Sequence, residues 1–213
     1  MKKIIFILLL IPVTQLFSQR IGEFAPERPP EEFPDNSWGV DLMFGDGGFG
    51  LGTFYRYSVS RDLSIFGDLS FSESSDKREI EYYDYWGNKV IPFKENRVFI
   101  LPLNVGVHYR LFTETITETL RPYIGVGVGP TMIVTTPYNM EYFDSFGKAK
   151  AKFAAGGYVC FGANIGSSKS NLVGLNFRYY FIHMFDEGVE NMQNSFKKDL
   201  GHFYLTLNIG LMY

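Results

Sequence analysis

The chain has 213 residues, with 20 Lys and Arg against 23 Asp and Glu, which gives a formal net charge of −3. This acidic balance argues against a nucleic-acid partner, and the single cysteine, Cys160, excludes an internal disulfide. The sequence contains 21 Phe, 14 Tyr and 22 Gly residues but no sustained helical period, so we expect an all-β protein. The glycine-rich run 125–129 lacks the G-x-G-x-x-G spacing of nucleotide-binding loops, and we expect no cofactor or metal.

Residues 1–18 have the pattern of a secretory signal peptide. Met1–Lys3 is basic, Ile4–Val13 is an apolar run too short to span a bilayer as a helix, and the small residue Ser18 precedes Gln19. We expect cleavage near Ser18 and Gln19, and therefore export; an uncleaved membrane anchor is the alternative. The ending Phe-Ser-Gln resembles signal peptides of Bacteroidetes-type bacteria.

Residues 19–36 form a separate, proline-rich segment. Its prolines occupy positions 26, 29, 30 and 34 among Glu and Arg residues. Proline fixes φ and removes a hydrogen-bond donor, so we expect an extended linker in the periplasm. A short recognition tail is the alternative.

Residues 37–213 are predicted to form eight β-strands, because apolar residues recur at every second position in eight segments. These segments are 37–45, 49–59, 63–71, 99–111, 123–132, 153–165, 173–181 and 203–213. The last segment, Phe203–Tyr213, is as long as a tilted strand that crosses a bilayer. We expect its apolar row to face lipid and its mixed row to face a small lumen.

The connectors between these strands alternate in length. Segments 60–62, 113–120 and 167–171 are short, whereas 72–97, 136–150 and 183–201 are long. Short periplasmic turns and long external loops, with an even number of strands, are typical of outer-membrane barrels. Only the first external loop, Asp46–Gly48, breaks the alternation. The predicted fold is an eight-stranded antiparallel up-and-down transmembrane β-barrel.

Four aromatic residues are predicted to lie at one level of the outward face, near the periplasmic interface. They are Trp38, Tyr57, Tyr109 and Tyr213. An amphipathic ring at this depth keeps its body in lipid and its polar tip in water. The general frequency of Tyr and Trp in strands is the alternative explanation.

Charged and polar side chains are predicted to fill the lumen. The inward set consists of Asp41, Arg56, Asp68, His108, Arg110, Arg178 and His202. Eight strands enclose a space that side chains just fill, and buried charges need partners, so we expect Asp41 and Asp68 to pair with some of the arginines. A structural polar plug is our main interpretation, and a proton or ion path is the alternative.

The long connectors are the better candidates for a binding site. Segments 79–86 and 89–93 flank Gly87-Asn88, a hairpin-turn pair, so we expect a β-hairpin above the membrane. Its aromatic residues are Tyr82, Tyr83, Tyr85 and Trp86. They either form an external binding patch, since exposed aromatic clusters often mark contact sites, or pack the hairpin against loop 137–146.

A hydrolytic role is a further hypothesis. Some small barrels edit lipid A with a His/Ser/acid set on loops or strand ends, and the last long connector contains His183, Asp186, Glu187, Glu190 and Ser195. Such residues are common in any polar loop, and spacing without geometry does not define a triad. We therefore expect a solvated loop and no catalytic residue.

Residues 37–213 resemble the eight-stranded outer-membrane barrels of the OmpX and OmpA transmembrane type. The resemblance rests on the alternation of apolar and polar residues, the predicted aromatic girdle and the terminal aromatic residue Tyr213. Among these barrels, the chain is similar to the outer membrane protein β-barrel domain proteins common in Bacteroidetes. The resemblance implies a monomer in outer-membrane lipid, inserted by the barrel-assembly machinery, with a non-enzymatic structural role or an extracellular ligand or surface protein as partner. An accessory role in protein secretion stays open. A soluble lipocalin-like carrier, with an apolar lumen, is the competing fold.

Overall fold

The computed structural model describes residues 36–75, 78–87, 89–113, 120–165 and 170–213. Within these ranges the strands are β1 (Asn36–Gly45), β2 (Gly48–Ser58), β3 (Leu63–Ser74), β4 (Tyr82–Tyr83), β5 (Lys89–Val90), β6 (Asn96–Arg110), β7 (Leu120–Pro137), β8 (Lys150–Ile165), β9 (Asn171–Met184), β10 (Val189–Met192), β11 (Ser195–Lys197) and β12 (Asp199–Met212). A short helix, α1 (Tyr142–Ser145), precedes a 3-10 turn at Phe146–Lys148. The predicted signal peptide and linker lie outside the described residues except for Asn36, which already belongs to β1.

Eight of the described strands close into one antiparallel barrel in the order β1-β12-β9-β8-β7-β6-β3-β2. The first and last strands meet along a seam that runs from Ser37 opposite Met212 to Gly45 opposite Tyr204. At one end of this seam, Asn36 and Tyr213 exchange two backbone hydrogen bonds of 3.1 and 3.0 Å. Closure leaves no unpaired strand edge in the barrel wall. The predicted eight-stranded antiparallel up-and-down barrel is therefore confirmed.

The two faces of the barrel wall have opposite chemistry. Large apolar side chains lie outside, where Leu51, Val105 and Phe161 are 49%, 59% and 55% exposed. Charged side chains lie inside, where Asp41 and Arg178 are 1% and 2% exposed. An apolar exterior around a polar interior suits a barrel surrounded by hydrocarbon. It is the reverse of the arrangement that a soluble lipocalin-like carrier requires.

Several strands extend beyond their predicted ends on the side of the long connectors. β7 runs on to Pro137, and β12 begins at Asp199 instead of Phe203. Backbone pairing continues there, with His183 opposite Asp199. This outward pair is polar and not apolar, so the alternation that predicts strands stops before the strands do. These longer ends raise the wall above its apolar band.

The connectors give the barrel two different ends. At the short-turn end, the backbone N–H groups of Val59 and Ser60 both bond to the carbonyl oxygen of Leu63, which closes a tight turn. At the long-loop end, the β4–β5 hairpin, α1 and the β10–β11 hairpin stand on the wall. Among the described residues, no helix has the length and apolar character needed to cross a membrane.

Candidate functional site: the lumen and the external loops

A buried ion pair between Arg178 and Asp41 lies in the middle of the lumen. Arg178 on β9 donates to Asp41 on β1 at 2.7 Å, and Asn208 on β12 donates to the other carboxylate oxygen. Arg178 also donates through Nε to Asn176 at 3.1 Å, and Asn176 donates to Asn208 at 2.8 Å. The four side chains form a closed ring of contacts across three adjacent strands. Because the charges are paired and hydrogen-bonded, their burial is tolerated.

Asp68 on β3 is held by neutral donors and not by an arginine, which corrects our expectation for this residue. The hydroxyl of Tyr158 and the side-chain amide of Asn104 donate to its two oxygens, the latter at 3.0 Å. The guanidinium of Arg178 lies 5.1 Å from the ring centre of the same tyrosine. Tyr158 therefore links the two buried carboxylates. We refer to these residues together with the ring around Asp41 as the polar layer.

Arginines also fill the lumen towards the short-turn end. Arg56 donates to Asn164 at 3.2 Å, and its guanidinium lies 4.3 Å from the ring centre of Phe54. Arg121, which the sequence analysis missed, is 8% exposed and contacts the sulfur of Met212 at 3.5 Å. It lies in the part of β7 that precedes the predicted strand, so the alternation at 123–132 gave no sign of it.

His108 packs among aromatic rings in the lumen. Its ring centre lies 4.2 Å from that of Phe66 and 4.6 Å from that of Tyr123. The sulfur of Cys160, which is buried, lies 3.6 Å from His108 Nε2. These apolar and weakly polar neighbours suit a neutral imidazole that fills space.

The four predicted girdle residues lie on the outside at the short-turn end. Trp38, Tyr57, Tyr109 and Tyr213 are 49%, 51%, 50% and 58% exposed. Tyr55, opposite Trp38 in the β1–β2 pair, belongs to the same level and was not predicted. The role of these rings as a membrane-interface girdle stays a prediction. Arg110, expected in the plug, is the last residue of β6 and lies half-buried at this rim.

Towards the long-loop end, the lumen becomes apolar. Its side chains form one buried cluster, which we call the apolar layer: Val98, Ile100, Ile133, Ala154, Ile182, Met184, Val189 and Leu200. Val189 belongs to β10, so an external loop contributes to the core. The sequence analysis missed this layer because it assigned the ends of several strands to loops. His202, predicted in the polar plug, lies beside this layer, where its Nε2 is 2.7 Å from Ser74 Oγ.

The long connectors interlock to form an external cap, which comprises the described residues of 78–95, 138–149 and 185–198. Lys94 and Glu79 form an ion pair of 2.6 Å whose side chains are 4% and 7% exposed. Asn191 of β10 donates to the same glutamate at 2.9 Å. The ammonium of Lys94 also lies 5.3 Å from the ring centre of Tyr138. One buried pair thus ties all three connectors together.

The predicted hairpin is present as β4 and β5, with Tyr82 opposite Val90. The predicted turn pair is Gly87-Asn88, and Asn88 lies outside the described residues. In the described part of the loop, the N–H of Gly87 bonds to the carbonyl of Asp84 at 3.0 Å, which forms a turn over residues 85 and 86. Gly87 has a φ of +79°, which glycine adopts without strain.

The aromatic side chains of this hairpin point into solvent. Tyr82, Tyr83, Tyr85 and Trp86 are 56%, 72%, 95% and 82% exposed, and the last two rings meet edge to face at 5.5 Å. The expected packing of these rings against loop 137–146 is therefore not what joins the connectors. That contact is made instead by Lys94 with Tyr138 and by Arg97, which donates to the carbonyl of Pro137 at 3.0 Å.

The polar residues of the last connector, which were considered for a hydrolytic role, make separate contacts and form no His/Ser/acid triad among the described residues. His183 pairs with Asp199 at 2.6 Å, and Ser195 instead accepts a hydrogen bond from Arg78. The pKa of Asp186 is lowered because the N–H of Gly188 and the ammonium of Lys152 stabilise its carboxylate. Glu190 accepts from the N–H of Asn194 at 2.6 Å, and Glu187 is exposed. Within the described residues, no cluster of His, Cys, Asp and Glu is arranged to hold a metal ion.

Comparison with solved structures shows which known fold this barrel shares. No family model matches the chain, and no curated protein matches it. Among solved structures, Neisserial surface protein A (NspA) is similar over 86% of this chain and 100% of its own, with a TM-score of 0.56 and 11% identity. This is the fold of the small outer-membrane β-barrels. The N-terminal barrel of Pseudomonas aeruginosa OprF also matches, over 85% of this chain and 100% of that one, with a TM-score of 0.46 and 11% identity.

Proposed function

We propose that the protein is an integral outer-membrane barrel that presents a binding surface on its external cap. Two features support the location. The outside of the wall is apolar along all eight strands, and residues 1–18 have the pattern of a signal peptide. The filled lumen then serves as structural support, because its side chains brace the wall from within.

The exposed aromatic hairpin carries the proposal for binding. Tyr85 and Trp86 are 95% and 82% exposed at its turn. Tyr and Trp are the residue types that most often dominate the binding energy of protein interfaces. A turn that keeps two large rings in water gains no folding stability from them, which favours a contact surface over a packing role.

The base of the hairpin is held in place, which favours binding further. Glu79 precedes β4 and Lys94 follows β5, and these two residues form the buried ion pair of the cap. Asn191 adds a contact from a second connector. A surface that is ordered before its partner arrives loses less conformational entropy on binding.

Double substitution of Tyr85 and Trp86 by serine tests this function. The variant and the parent would be displayed on cells and compared for adherence to a panel of immobilised glycans and extracellular proteins. The matched control is Phe143→Ser, because Phe143 is 81% exposed on α1 in the same cap. We expect at least one ligand to be bound by the parent and the control but lost with the double variant. Equal binding by all three proteins across the panel would contradict the proposal.

Fractionation tests the location. We expect the protein in outer-membrane fractions that resist extraction with alkaline carbonate, and a folded band that shifts on heating in gel electrophoresis. Recovery in the soluble fraction would contradict a membrane-embedded barrel, whatever the hairpin binds.

A further inference from the structure

The first external connection leaves a notch in the rim of the barrel. At this rim β1 ends at Gly45 and β2 begins at Gly48, whereas β3 continues to Ser74 and β12 begins as early as Asp199. Above the β1–β2 turn, inward side chains of β3 and β12 therefore face each other without an intervening strand. The turn itself, at residues 46–47, forms the floor of this notch.

A serine, a histidine and an aspartate meet at the notch. Ser74 Oγ lies 2.7 Å from His202 Nε2, and His202 Nδ1 lies 3.6 Å from Asp46 Oδ1. The two imidazole nitrogens thus face different partners, with the hydroxyl on one side and the carboxylate on the other. This is the order of contacts in a Ser-His-Asp triad, which is recognised by geometry and not by position in the sequence.

The local backbone holds the carboxylate and the ring in this arrangement. The N–H of Phe203 donates to Asp46 Oδ1 at 2.8 Å, which fixes the acid beside the histidine. Gly47 lies so close that a Cβ there would be 3.0 Å from His202 Nδ1 and 2.6 Å from the hydroxyl of Tyr204. A side chain at position 47 would therefore have to displace the Tyr204 hydroxyl and crowd the imidazole. The Nδ1–Oδ1 distance of 3.6 Å is longer than a hydrogen bond, and catalytic hydrogen bonds often shorten when substrate binds.

The three side chains open onto one cavity of about 260 Å³. Its lining includes the apolar side chains of Val98, Val189 and Leu200 as well as Asn191 and Lys197. Pockets for drug-sized ligands occupy roughly 300–1,000 Å³, so this cavity suits a smaller group. The apolar side chains suit a short acyl chain, and the polar side chains of Ser74 and His202 beside them suit its ester group.

We propose that the notch is a hydrolytic site for short-acyl carboxylic esters, with Ser74 as nucleophile, His202 as general base and Asp46 as the residue that orients the imidazole. Ser74 Oγ attacks the ester carbonyl carbon while its proton passes to His202 Nε2. The tetrahedral intermediate collapses, the ester C–O bond breaks, and the leaving alcohol takes the proton from His202. Water, deprotonated by the same nitrogen, then attacks the acyl-serine, and the acid and free Ser74 are released.

This inference goes beyond the binding role proposed above and uses none of the hairpin residues. A purely structural Ser74–His202 hydrogen bond would close the notch equally well, but it would not make the serine reactive. Reactivity is therefore the property that separates the two explanations.

Labelling of the unmodified protein gives the first test. The full chain, folded in detergent micelles, would be treated with a fluorophosphonate probe, which phosphonylates activated serines with loss of fluoride. Peptide mass spectrometry would then locate the adduct. We expect the adduct on Ser74; a folded barrel that stays unlabelled at Ser74 overturns the proposal.

Ester hydrolysis gives the second test, with p-nitrophenyl butyrate as substrate. We expect Ser74→Ala to reduce turnover to the background rate and His202→Gln to reduce it about 10²–10⁴-fold. Ser72→Ala is the matched control, because Ser72 is a buried inward serine on the same strand that does not line the cavity. Each variant would be checked for the heat-dependent gel shift. Turnover that is absent from the parent, or that survives in folded Ser74→Ala, overturns the assignment.

Discussion

The polar layer and the apolar layer fill neighbouring parts of one lumen with different chemistry. In the polar layer, Asp41 and Arg178 are 1% and 2% exposed and depend on each other and on amide side chains. In the apolar layer, Ile133 and Met184 are both 0% exposed and belong to one cluster of buried apolar side chains. Only the first layer depends on particular hydrogen-bond and ion-pair partners.

The two layers therefore stabilise the barrel in different ways, the polar layer through specific partners and the apolar layer through filled volume. A buried polar group that loses its partner costs free energy because it has also lost water. Apolar contacts are non-directional, so a group of similar size replaces another at small cost. We therefore expect the polar layer to determine which side chains lie opposite one another, and the apolar layer to require only that space be filled.

Removal of the buried cation should have the largest effect. Arg178→Met leaves the carboxylate of Asp41 buried without its charged partner, so we expect the free energy of unfolding to fall by about 3–5 kcal/mol. Urea unfolding in lipid vesicles measures this change. The double variant Asp41→Leu/Arg178→Met removes both charges and should be more stable than the single variant. If the double variant is no more stable, the uncompensated charge is not the cause.

A charge on the outer face sharpens the comparison, because both layers are defined by a wall whose outside meets lipid. Leu207→Arg places a cation near the middle of β12 on the outward face, and we expect a loss of about 2–4 kcal/mol and impaired insertion. Val59→Arg, outward beside a turn at the short-turn end, is the control and should cost about 0–1 kcal/mol. Equal losses at the two depths would show that the outer face does not meet hydrocarbon.

A conservative change in the apolar layer should cost less. Ile133→Val removes one buried methylene group, so we expect a loss of about 0.5–1.5 kcal/mol in the same urea assay. A loss that matched or exceeded that of Arg178→Met would reverse the proposed order of the two layers.

A change outside both layers should have the smallest effect. Trp86 is 82% exposed at the tip of the hairpin, and we expect Trp86→Ser to change the unfolding free energy by less than about 0.5 kcal/mol. A larger loss in the urea assay would show that the ring stabilises the barrel and does not serve only as a contact surface.

The sequence predicts the wall of this barrel well, because each residue of a strand must face either the outside or the lumen. Alternation in segments such as 203–213 therefore gave both the strands and the inward position of residues such as Arg178. It failed where the outward residues become polar, as at His183 and Asp199, because no lipid selects an apolar side chain there. The first residues of β7, which include Arg121, were not predicted as strand for a related reason. They follow a polar connector and do not extend the apolar alternation.

The hydrogen-bond partners of lumen side chains were harder to predict than the face of the wall on which each side chain lies. Alternation places Asp68 and Tyr158 on the inward face, but their contact depends on barrel register and on side-chain reach across the lumen. The Ser74–His202 contact joins residues 128 positions apart and exists because the β1–β2 connection is short. No sequence pattern around Ser74 or around His202 predicts this contact. The cap depends on similar long-range contacts, such as that between Asn191 and Glu79, which are 112 positions apart.

The hydrogen bonds between Asn36 and Tyr213 bring the two ends of the barrel chain into contact. A short linker can therefore join these residues, and new termini can be opened at the turn between β2 and β3, as exposed turns tolerate such circular permutation. The permuted chain would begin with β3 and end with β2, yet its strands would keep every neighbour they have now. The ring thus fixes the cyclic order of the strands but not the strand at which translation begins.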